Sequence, residues 1–421
     1  MAKTVPLDAP TLAWARGEFA RYYRTAEVPA PERIERRELA AFPFAEATLM
    51  RRHATVPSAP ALRTYLRDTV PRHVYYSSAY YRRPAEPTMA AKEWLGADLI
   101  FDLDADHLRG AEKLDYAGQL GLVKRRLLDL VDDFLVRDFG VDAASAAFVF
   151  SGGRGYHVHL RDERFVTLSS PERREIVDYL LGTGVDPLAA IVHHREDVRS
   201  GRTAGVADAD DLPPGARARA VHSQRLAGPD APGWRGRTTR AVLALLARWE
   251  SAGKELAVEE MVGWGISATQ AKHWARALLD RGRAGKIRAT LSLDVFAKGE
   301  SPREFLAAVV RNAAVDVQAE TDAPVTTDIH RLIRLPDSLH GGTGFRVVPL
   351  RREEVDAFDP FRDAVSADGG RTTPVTFLEE VRYPFPGGGL HRAAGTTDEL
   401  PTPQALFLVL RGEAALRPSP G

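Results

Sequence analysis

A strand-like stretch that ends in acids, GADLIFDLDADH at residues 96–107, constrains this chain more than any other feature. Its first half is apolar, and Asp102, Asp104 and Asp106 close it. Residues two apart on a strand share a face, roughly 6.6–6.8 Å apart along the chain, so Asp102 and Asp104 project together. Buried carboxylates need partners, and two this close raise each other's pKa unless a cation intervenes. The spacing suits a pair that shares one or two divalent ions; the alternative is a strand end in which Asp106 caps a helix.

Composition narrows the kind of metal site that this chain can build. The 421 residues include no cysteine, which excludes disulfides, thiolate nucleophiles and cysteine-ligated zinc or iron–sulfur clusters. A metal site must then use His, Asp or Glu, and carboxylate-rich sites favour magnesium or manganese. The 57 basic and 57 acidic residues balance, so any nucleic-acid binding would depend on a local basic surface.

The termini and apolar runs indicate a protein without a membrane segment. The longest apolar run, 241–247, is far shorter than the ~18 residues of a membrane-spanning helix. The opening residues, MAKTVPLDAP, contain no apolar segment typical of a secretion signal. We therefore expect a cytoplasmic protein.

A second motif, FSGGRGYHVHL at 150–160, predicts a glycine-rich turn between two strands. Its glycines permit a tight turn with exposed backbone N–H groups, a shape that can hold phosphate oxygens. Arg154 would add a forked cationic donor, and His157 and His159 would share one face of the second strand. The alternative is an ordinary hairpin with an exposed arginine and two half-buried histidines.

A third motif, DAPVTTDIHRLIRLPDSLHGGTG at 322–344, brings Arg331, Arg334 and His340 close to two acids in sequence. A positive group near a triphosphate could stabilise the charge of a departing pyrophosphate. The alternative is an edge strand with surface arginines.

The order of predicted elements favours an α+β fold. Mixed helices and strands come first, a mainly helical block follows at 238–313, and strands return after it. Strands from both ends could share one sheet with the helical block inserted between them. We predict a discontinuous core over 1–164 and 315–400, an inserted helical subdomain over 165–314 with a basic loop at 200–237, and a flexible tail over 401–421.

Taken together and in this order, the three motifs resemble the catalytic small subunit of archaeal and eukaryotic DNA primases. The flank RHVYYSSAYYRRP matches as well, and the similarity spans roughly 37–364. The resemblance implies a primase-type core with a mixed β-sheet flanked by helices, and the inserted helical subdomain.

The resemblance also implies a metal site. In that family the paired acids on the strand bind two divalent ions, which correspond here to Asp102 and Asp104 and to Mg²⁺ or Mn²⁺. A third acid stands eighteen positions before the His of SLHG, which is Asp322 when counted back from His340. Asp328 is the rejected candidate.

The family's nucleotide-binding residues carry over to six positions of this chain. The Ser, Arg and His of the glycine turn fall on Ser151, Arg154 and His157, the basic residue of RLIR on Arg334, and the last His on His340. An arginine of an earlier strand falls on Arg51 or Arg52 in MRRHAT, of which we choose Arg52.

Two departures from the family pattern change the expectations. Many relatives carry a cysteine-rich zinc module after the acidic strand, where this chain has a predicted helix over 111–138, so no zinc is expected. Many also carry a Lys where this chain has Gly342, which removes one phosphate contact.

The resemblance implies template-directed synthesis of short RNA primers on single-stranded DNA during replication, with DNA products left open. It implies a heterodimer with an iron–sulfur large subunit, which must supply its own cysteines. Arg82, Arg83 and the segment 215–240, with six arginines and one acid, could form the template surface. Rival interpretations are a repair polymerase that only extends primers, a non-catalytic single-strand-binding subunit, and a metal-dependent phosphohydrolase.

Overall fold

The computed structural model describes residues 7–45, 48–198, 219–295, 307–312, 320–366 and 370–417. The chain divides into two compact units, one made of 1–178 with 320–421 and the other of 179–319. The predicted domain boundaries at 164/165 and 314/315 stay predictions beside this division. Among the described residues, the helices are too short or too polar to cross a membrane.

The helices, in chain order, are α1 (Ala9–Thr25), α2 (Ala59–Thr69), α3 (Met89–Lys92), α4 (Tyr116–Asp129), α5 (Glu163–Val166), α6 (Ser170–Leu180), α7 (Gly233–Ala252), α8 (Lys254–Gly263), α9 (Ala268–Ala275), α10 (Arg283–Thr290), α11 (Ala323–Thr327), α12 (Arg352–Val355), α13 (Pro360–Asp363) and α14 (Thr402–Arg411).

The strands are β1 (Leu39–Phe42), β2 (Arg51–Ala54), β3 (His73–Ser77), β4 (Ala79–Tyr81), β5 (Trp94–Ala97), β6 (Leu99–Asp104), β7 (Ala147–Phe150), β8 (Gly155–Leu160), β9 (Ile191–Val198), β10 (Arg219–Leu226), β11 (Leu332–Arg334), β12 (Val348–Leu350), β13 (Thr372–Phe377), β14 (Val381–Tyr383), β15 (Leu390–Arg392), β16 (Thr397–Pro401) and β17 (Ala414–Leu416).

Helices and strands mix as predicted, but the predicted mixed β-sheet is wrong. In the part of the chain that the structure describes, every strand pairing is antiparallel, and the strands form several small sheets. A short turn explains the antiparallel pairing of β7 with β8, which only residues 151–154 separate.

Strands from both sides of the inserted block pair with each other as expected, but they do so in two sheets of the first unit and not in one. One has the order β11-β3-β1-β2 and the other β12-β7-β8-β6. The second carries both the acidic strand and the glycine turn, and β11 in the first carries the RLIR motif.

An apolar cluster holds α1 and α2 against the first of these sheets. Phe19 packs edge-on against Phe44 with ring centroids 5.0 Å apart, and Leu62 and Tyr76 are fully buried in the same cluster. Asp8 caps α1 by accepting the Thr11 N–H, which fixes where the helix begins. This packing positions β3, and through it β11.

The helix predicted over 111–138 forms in pieces. A single 3₁₀ turn covers Ala111–Lys113, α4 follows, and a π-helical segment continues over Leu130–Val136. The break comes at Asp115, whose carboxylate accepts the Gly118 N–H at 2.7 Å and so starts a new helix.

The second unit packs α7–α10 around a buried core that includes Trp249, Met261, Leu278 and Ile287. Residues 200–218 of the predicted basic loop lie outside the described residues. The loop prediction is wrong for 219–226, where β10 pairs along its whole length with β9, and for 233–237, where α7 begins. Residues 227–232 form no helix or strand. The sequences of both strands, IVHHREDV and RAVHSQRL, contain few apolar residues, which hid the strand signal.

The flexible tail predicted over 401–421 is wrong for residues 402–416. This segment forms α14, in which residues 405–410 are all buried, and then β17, which pairs with β13. The Pro- and Ser-rich end suggested fraying, but the preceding run ALFLVL is apolar on every side and is stable only when buried. Residues 418–421 lie outside the described residues.

A buried arginine ties the acidic strand to the rest of the first unit. Arg37 is fully buried and donates to the Ser77 and Ser78 carbonyls at 2.7 and 3.0 Å, and to Asp98 at 2.8 Å. Asp98 lies between β5 and β6, directly before the strand that carries Asp102 and Asp104. Removing one partner of such a pair leaves an uncompensated buried charge.

The Arg37–Asp98 pair predicts a large stability effect. Arg37→Met should lower the free energy of unfolding by about 3–5 kcal/mol, because Asp98 loses its closest cation. The exposed pair of Arg164 with Asp162 provides a control, and Arg164→Met should lower the free energy of unfolding far less, because solvent screens an exposed pair. Denaturant titration measures both, and equal small losses would contradict the assignment.

Candidate active site

The register between β6 and β8 sets the geometry of the site. Asp102 lies directly opposite His157, and Asp104 lies opposite Gly155. The His157 Nε2 atom is 3.5 Å from the Asp102 Oδ1 atom. A Cβ at position 155 would lie 2.7 Å from the Leu103 carbonyl oxygen, so only glycine fits there. The first two motifs of the sequence therefore form one surface.

Asp322 reaches the same place from the far end of the chain. Its N–H donates to the Asp102 carbonyl at 2.9 Å, and the neighbouring Thr321 hydroxyl donates to that carbonyl at 3.2 Å. Asp322 stands at the N-cap position of α11, yet its side chain makes no capping hydrogen bond. Its negative charge acts on the Asp102 carboxyl.

Asp328, the rejected candidate, lies in a different environment. Its carboxylate accepts the His330 N–H at 2.8 Å, and its charge acts on Tyr81, His330 and Arg173 rather than on Asp102. The structure brings Asp322, and not Asp328, to the acidic strand.

The carboxyl of Asp102 is strongly perturbed by its surroundings. Burial, together with the negative charges of Asp104 and Asp322, raises the pKa of Asp102 to about 7. Arg331 and Arg334 act in the opposite direction. Because the pKa of Asp102 stays raised, these two arginines do not offset burial and the negative charges of the neighbouring acids.

The donor set fits a hard divalent cation in charge and chemistry, although no cage is preformed. Within the described residues, no three His, Asp or Glu side chains already converge in a metal-binding arrangement. The Asp104 carboxylate instead accepts the Asp106 N–H at 3.0 Å. Carboxylate oxygens are the ligands that magnesium and manganese prefer, and a bound cation would relieve the repulsion at Asp102.

The glycine turn forms as predicted between β7 and β8. The Ser151 hydroxyl accepts the N–H groups of Gly153 and Gly155 at 3.3 and 3.2 Å, so Ser151 shapes the turn from within. Gly152 has a φ of +76°, and a Cβ there would lie 2.7 Å from the His340 Cβ atom. Arg154 donates to Asp106 at 2.5 Å and lies 4.0 Å from Asp104.

A cavity of about 810 Å³ opens beside these groups. Of the predicted site residues, seven line it: Asp102, Asp104, Ser151, Arg154, His157, Arg334 and His340. Asp322 adjoins Asp102 without lining the cavity.

Arg334 and His340 are held on the cavity wall by His73. The His73 Nδ1 atom accepts from the Arg334 guanidinium at 2.7 Å and from the Gly341 N–H at 3.3 Å. The His73 and His340 rings pack edge-on with their centroids 5.2 Å apart. The Arg334 guanidinium carbon lies over the Tyr75 ring, 5.1 Å from its centroid. Strand pairing of Arg334 with Tyr75 makes this contact possible.

The histidines of the site are neutral. Burial, together with the charges of Arg334 and Arg331, lowers the pKa of His157 to about 3. Burial and the same kind of neighbours hold the pKa of His73 and His340 well below the ordinary value. Positive charge in the cavity therefore comes from arginines, and the histidines contribute neutral donors and acceptors.

Arg52 does not belong to this cavity, which corrects the choice made from the sequence. Its guanidinium donates to both carboxylate oxygens of the buried Glu38, at 2.9 and 3.1 Å. Arg51 and Arg52 are adjacent in a short strand, and the sequence does not indicate which acid or ligand either of them contacts.

Sequence reasoning missed several cavity residues. Arg72, His73 and Tyr75 come from the RHVYY flank, where alternation on a strand places residues 73 and 75 on one face. Arg331 belongs to the motif at 322–344 and lines the cavity, but it is not among the site residues predicted from the sequence. Tyr116, Arg411 and Glu413 carried no local signal at all. Five arginines line the cavity, Arg72, Arg154, Arg331, Arg334 and Arg411, and together they suit a polyanion.

Comparisons with known proteins show the family of this chain. The family model for the DNA primase small subunit matches residues 101–352. The DNA primase small subunit PriS of Methanocella arvoryzae is 39% identical over 98% of this chain and 100% of its own length. That of Methanothrix thermoacetophila is 40% identical over 97% and 99%, and that of Methanococcoides burtonii 35% over 98% and 100%. The chain therefore belongs to the archaeal-type DNA primase small subunit family, the catalytic nucleotidyltransferase that primes DNA replication.

Proposed function

We propose that this chain makes short RNA primers on single-stranded DNA at the cavity beside β6, with Asp102, Asp104 and Asp322 as the metal ligands. The observation that carries the proposal is the backbone hydrogen bond that ties Asp322 to Asp102, next to Asp104 and a cavity lined by five arginines. Acids alone would suit many hydrolases, but acids beside a polyanion site suit transfer from a nucleoside triphosphate.

The metal ligands would hold two Mg²⁺ or Mn²⁺ ions. When bound, such ions lower the pKa of an attacking 3′-hydroxyl and neutralise the departing pyrophosphate. The contribution of the chain is to concentrate negative charge where the ions bind. The tether from the Asp322 N–H to the Asp102 carbonyl keeps the third acid at this place.

The phosphate-binding residues would be Ser151, Arg154, His157, Arg334 and His340. Arg154 and Arg334 supply forked donors that match phosphate oxygens. His157 and His340, being neutral, would donate single hydrogen bonds without adding charge. Arg331, whose charge acts on Asp102 and His157, joins this group.

The template surface stays a prediction. Arg82 and Arg83 both pair with Glu93, at 3.3 and 2.6 Å, so template phosphates would compete with that carboxylate. Such exposed pairs are weak, so the competition costs little. Part of the segment 215–240 lies outside the described residues.

A large subunit would complete the enzyme as a heterodimer, since the relatives carry the name small subunit. Any iron–sulfur cluster of the assembly would use cysteines of that partner, because this chain has none.

Asp322 and Asp328 provide a matched pair of variants. Asp322→Asn should lower synthesis by about 10²–10³-fold, because a lost metal ligand removes several kcal/mol of charge stabilisation. Asp328→Asn should stay close to the wild-type rate. The measurement is primerless synthesis on single-stranded DNA with labelled ribo- and deoxynucleotides, and the opposite ranking would show that the third acid is misassigned.

Asp102→Asn should stabilise the metal-free protein in a pH-dependent way. A raised pKa means that stability is fully present below about pH 4 and is lost as the carboxyl ionises up to about pH 7. The variant, which cannot ionise, should gain on the order of 4 kcal/mol over wild-type at pH 8 and on the order of 1–2 kcal/mol at pH 5.

Thermal unfolding in EDTA measures this gain. The exposed Asp68 on α2 gives a control, and Asp68→Asn should change little at either pH. A gain from Asp102→Asn that is equal at pH 5 and pH 8 would contradict the raised pKa of Asp102.

Variants of Arg334, which lines the cavity, and of Arg52, which pairs with Glu38, test which of the two arginines binds the nucleotide. Arg334→Gln should raise the KM for nucleotide by about 10–100-fold, the value of a hydrogen bond to a charged group. Arg52→Gln should lower the melting temperature, because Glu38 is buried, yet leave KM unchanged. Steady-state kinetics on folded protein test both, and a larger KM effect from Arg52 would return that residue to the site.

A further inference from the structure

The wall of the cavity includes a part of the chain that none of the three motifs covers. We call residues 370–417 the C-terminal segment. Its Glu379, Leu410, Arg411 and Glu413 line the cavity, together with Tyr116 at the start of α4. The segment is thus placed to act on the nucleotide site, and a chain of contacts shows how.

Two hydroxyl groups hold the peptide planes of the glycine turn. The Thr343 hydroxyl donates to the Gly152 carbonyl at 2.5 Å, and the Tyr116 hydroxyl donates to the Gly153 carbonyl at 2.7 Å. In a trans peptide the carbonyl and the next N–H point in opposite directions. Tyr116 therefore orients the N–H of Arg154 away from itself.

The Arg154 N–H is a donor without an acceptor. The preceding N–H, that of Gly153, already donates to the Ser151 hydroxyl. No group in the described ranges accepts a hydrogen bond from the Arg154 N–H, although Gly153 and Arg154 both line the cavity. An oriented, unpaired backbone N–H among arginines is suited to an anionic oxygen.

Arg411 holds the Tyr116 ring in turn. Its guanidinium lies 4.4 Å from the centroid of that ring, and its Nε atom donates to Glu413 at 2.7 Å. Glu413 also accepts the Tyr383 hydroxyl at 2.7 Å. The Tyr116 ring packs edge-on against Phe407 of α14 with centroids 5.7 Å apart. The C-terminal segment thus fixes the ring whose hydroxyl fixes the turn.

We propose that Tyr116 is a positioning residue for the nucleotide: its hydroxyl orients the Arg154 N–H toward a phosphate oxygen, and Arg411 acts through Tyr116. The inference rests on the nucleotide site of the proposed function and adds to it a role for the C-terminal segment. The ligand group is a phosphate of a nucleoside triphosphate, because four arginines besides Arg411 line the same cavity.

Titration of the full chain with ATP and Mg²⁺, without template, tests the inference. Tyr116→Phe removes only the hydroxyl and should weaken ATP binding roughly 2- to 10-fold, the factor that an ordinary hydrogen bond supplies. In the synthesis assay KM should rise by a similar factor, whereas kcat and the melting temperature should change little. A merely structural role would lower the melting temperature without this split.

Tyr156→Phe is the matched control. Tyr156 is buried on β8 and packs against Phe358, but its side chain does not line the cavity. Its variant should bind ATP like wild-type. Equal ATP binding by wild-type and Tyr116→Phe, or equal weakening by both Tyr→Phe variants, would overturn the inference.

A double-mutant cycle tests the role of Arg411. Arg411→Gln should weaken ATP binding in the wild-type background and clearly less in the Tyr116→Phe background, because both act through one hydrogen bond. Additive effects would mean that Arg411 contacts the nucleotide directly and would overturn the relay. Absence of primer synthesis by wild-type, with this binding pattern intact, would contradict the proposed function alone.

Discussion

The antiparallel register of β6 against β8 is the constraint on which the site depends. It places Asp102 opposite His157 and Asp104 opposite Gly155, so the metal-binding and phosphate-binding motifs share one face. A slip of one residue would turn the acids into the core. The buried Arg37–Asp98 pair directly before β6 and the absence of side-chain space at Gly155 both favour the observed register.

The site concentrates charges that would destabilise a protein without ligands. Asp102 carries a raised pKa beside two other acids, while arginines gather a short distance away on β11 and the glycine turn. The buried histidines stay neutral, so they add no repulsion to this arrangement. The cations of a bound nucleoside triphosphate would neutralise the acids, and its phosphates would neutralise the arginines. Such a site lowers the stability of the free protein for the sake of function.

Most residues of the site could be predicted from the sequence, whereas the residues that hold them in place could not. The spacing of Asp102 and Asp104 and the glycine turn are set by neighbouring residues, so they can be predicted without knowledge of long-range contacts. Asp322 required the resemblance, because nothing in its own segment separates it from Asp328. Arg52, Tyr116 and Arg411 depend on long-range partners such as Glu38 and Gly153, which periodicity does not reveal. The same reason explains the missed α14, whose apolar run is stable only against a core built elsewhere.

Anomalous diffraction from crystals grown with Mn²⁺ and a non-hydrolysable nucleoside triphosphate would show directly where the metal ions and the triphosphate bind. We expect manganese peaks bound by the carboxylates of Asp102, Asp104 and Asp322, with the triphosphate against the glycine turn. Manganese bound away from residue 322, or a triphosphate outside the arginine-lined cavity, would contradict this expectation.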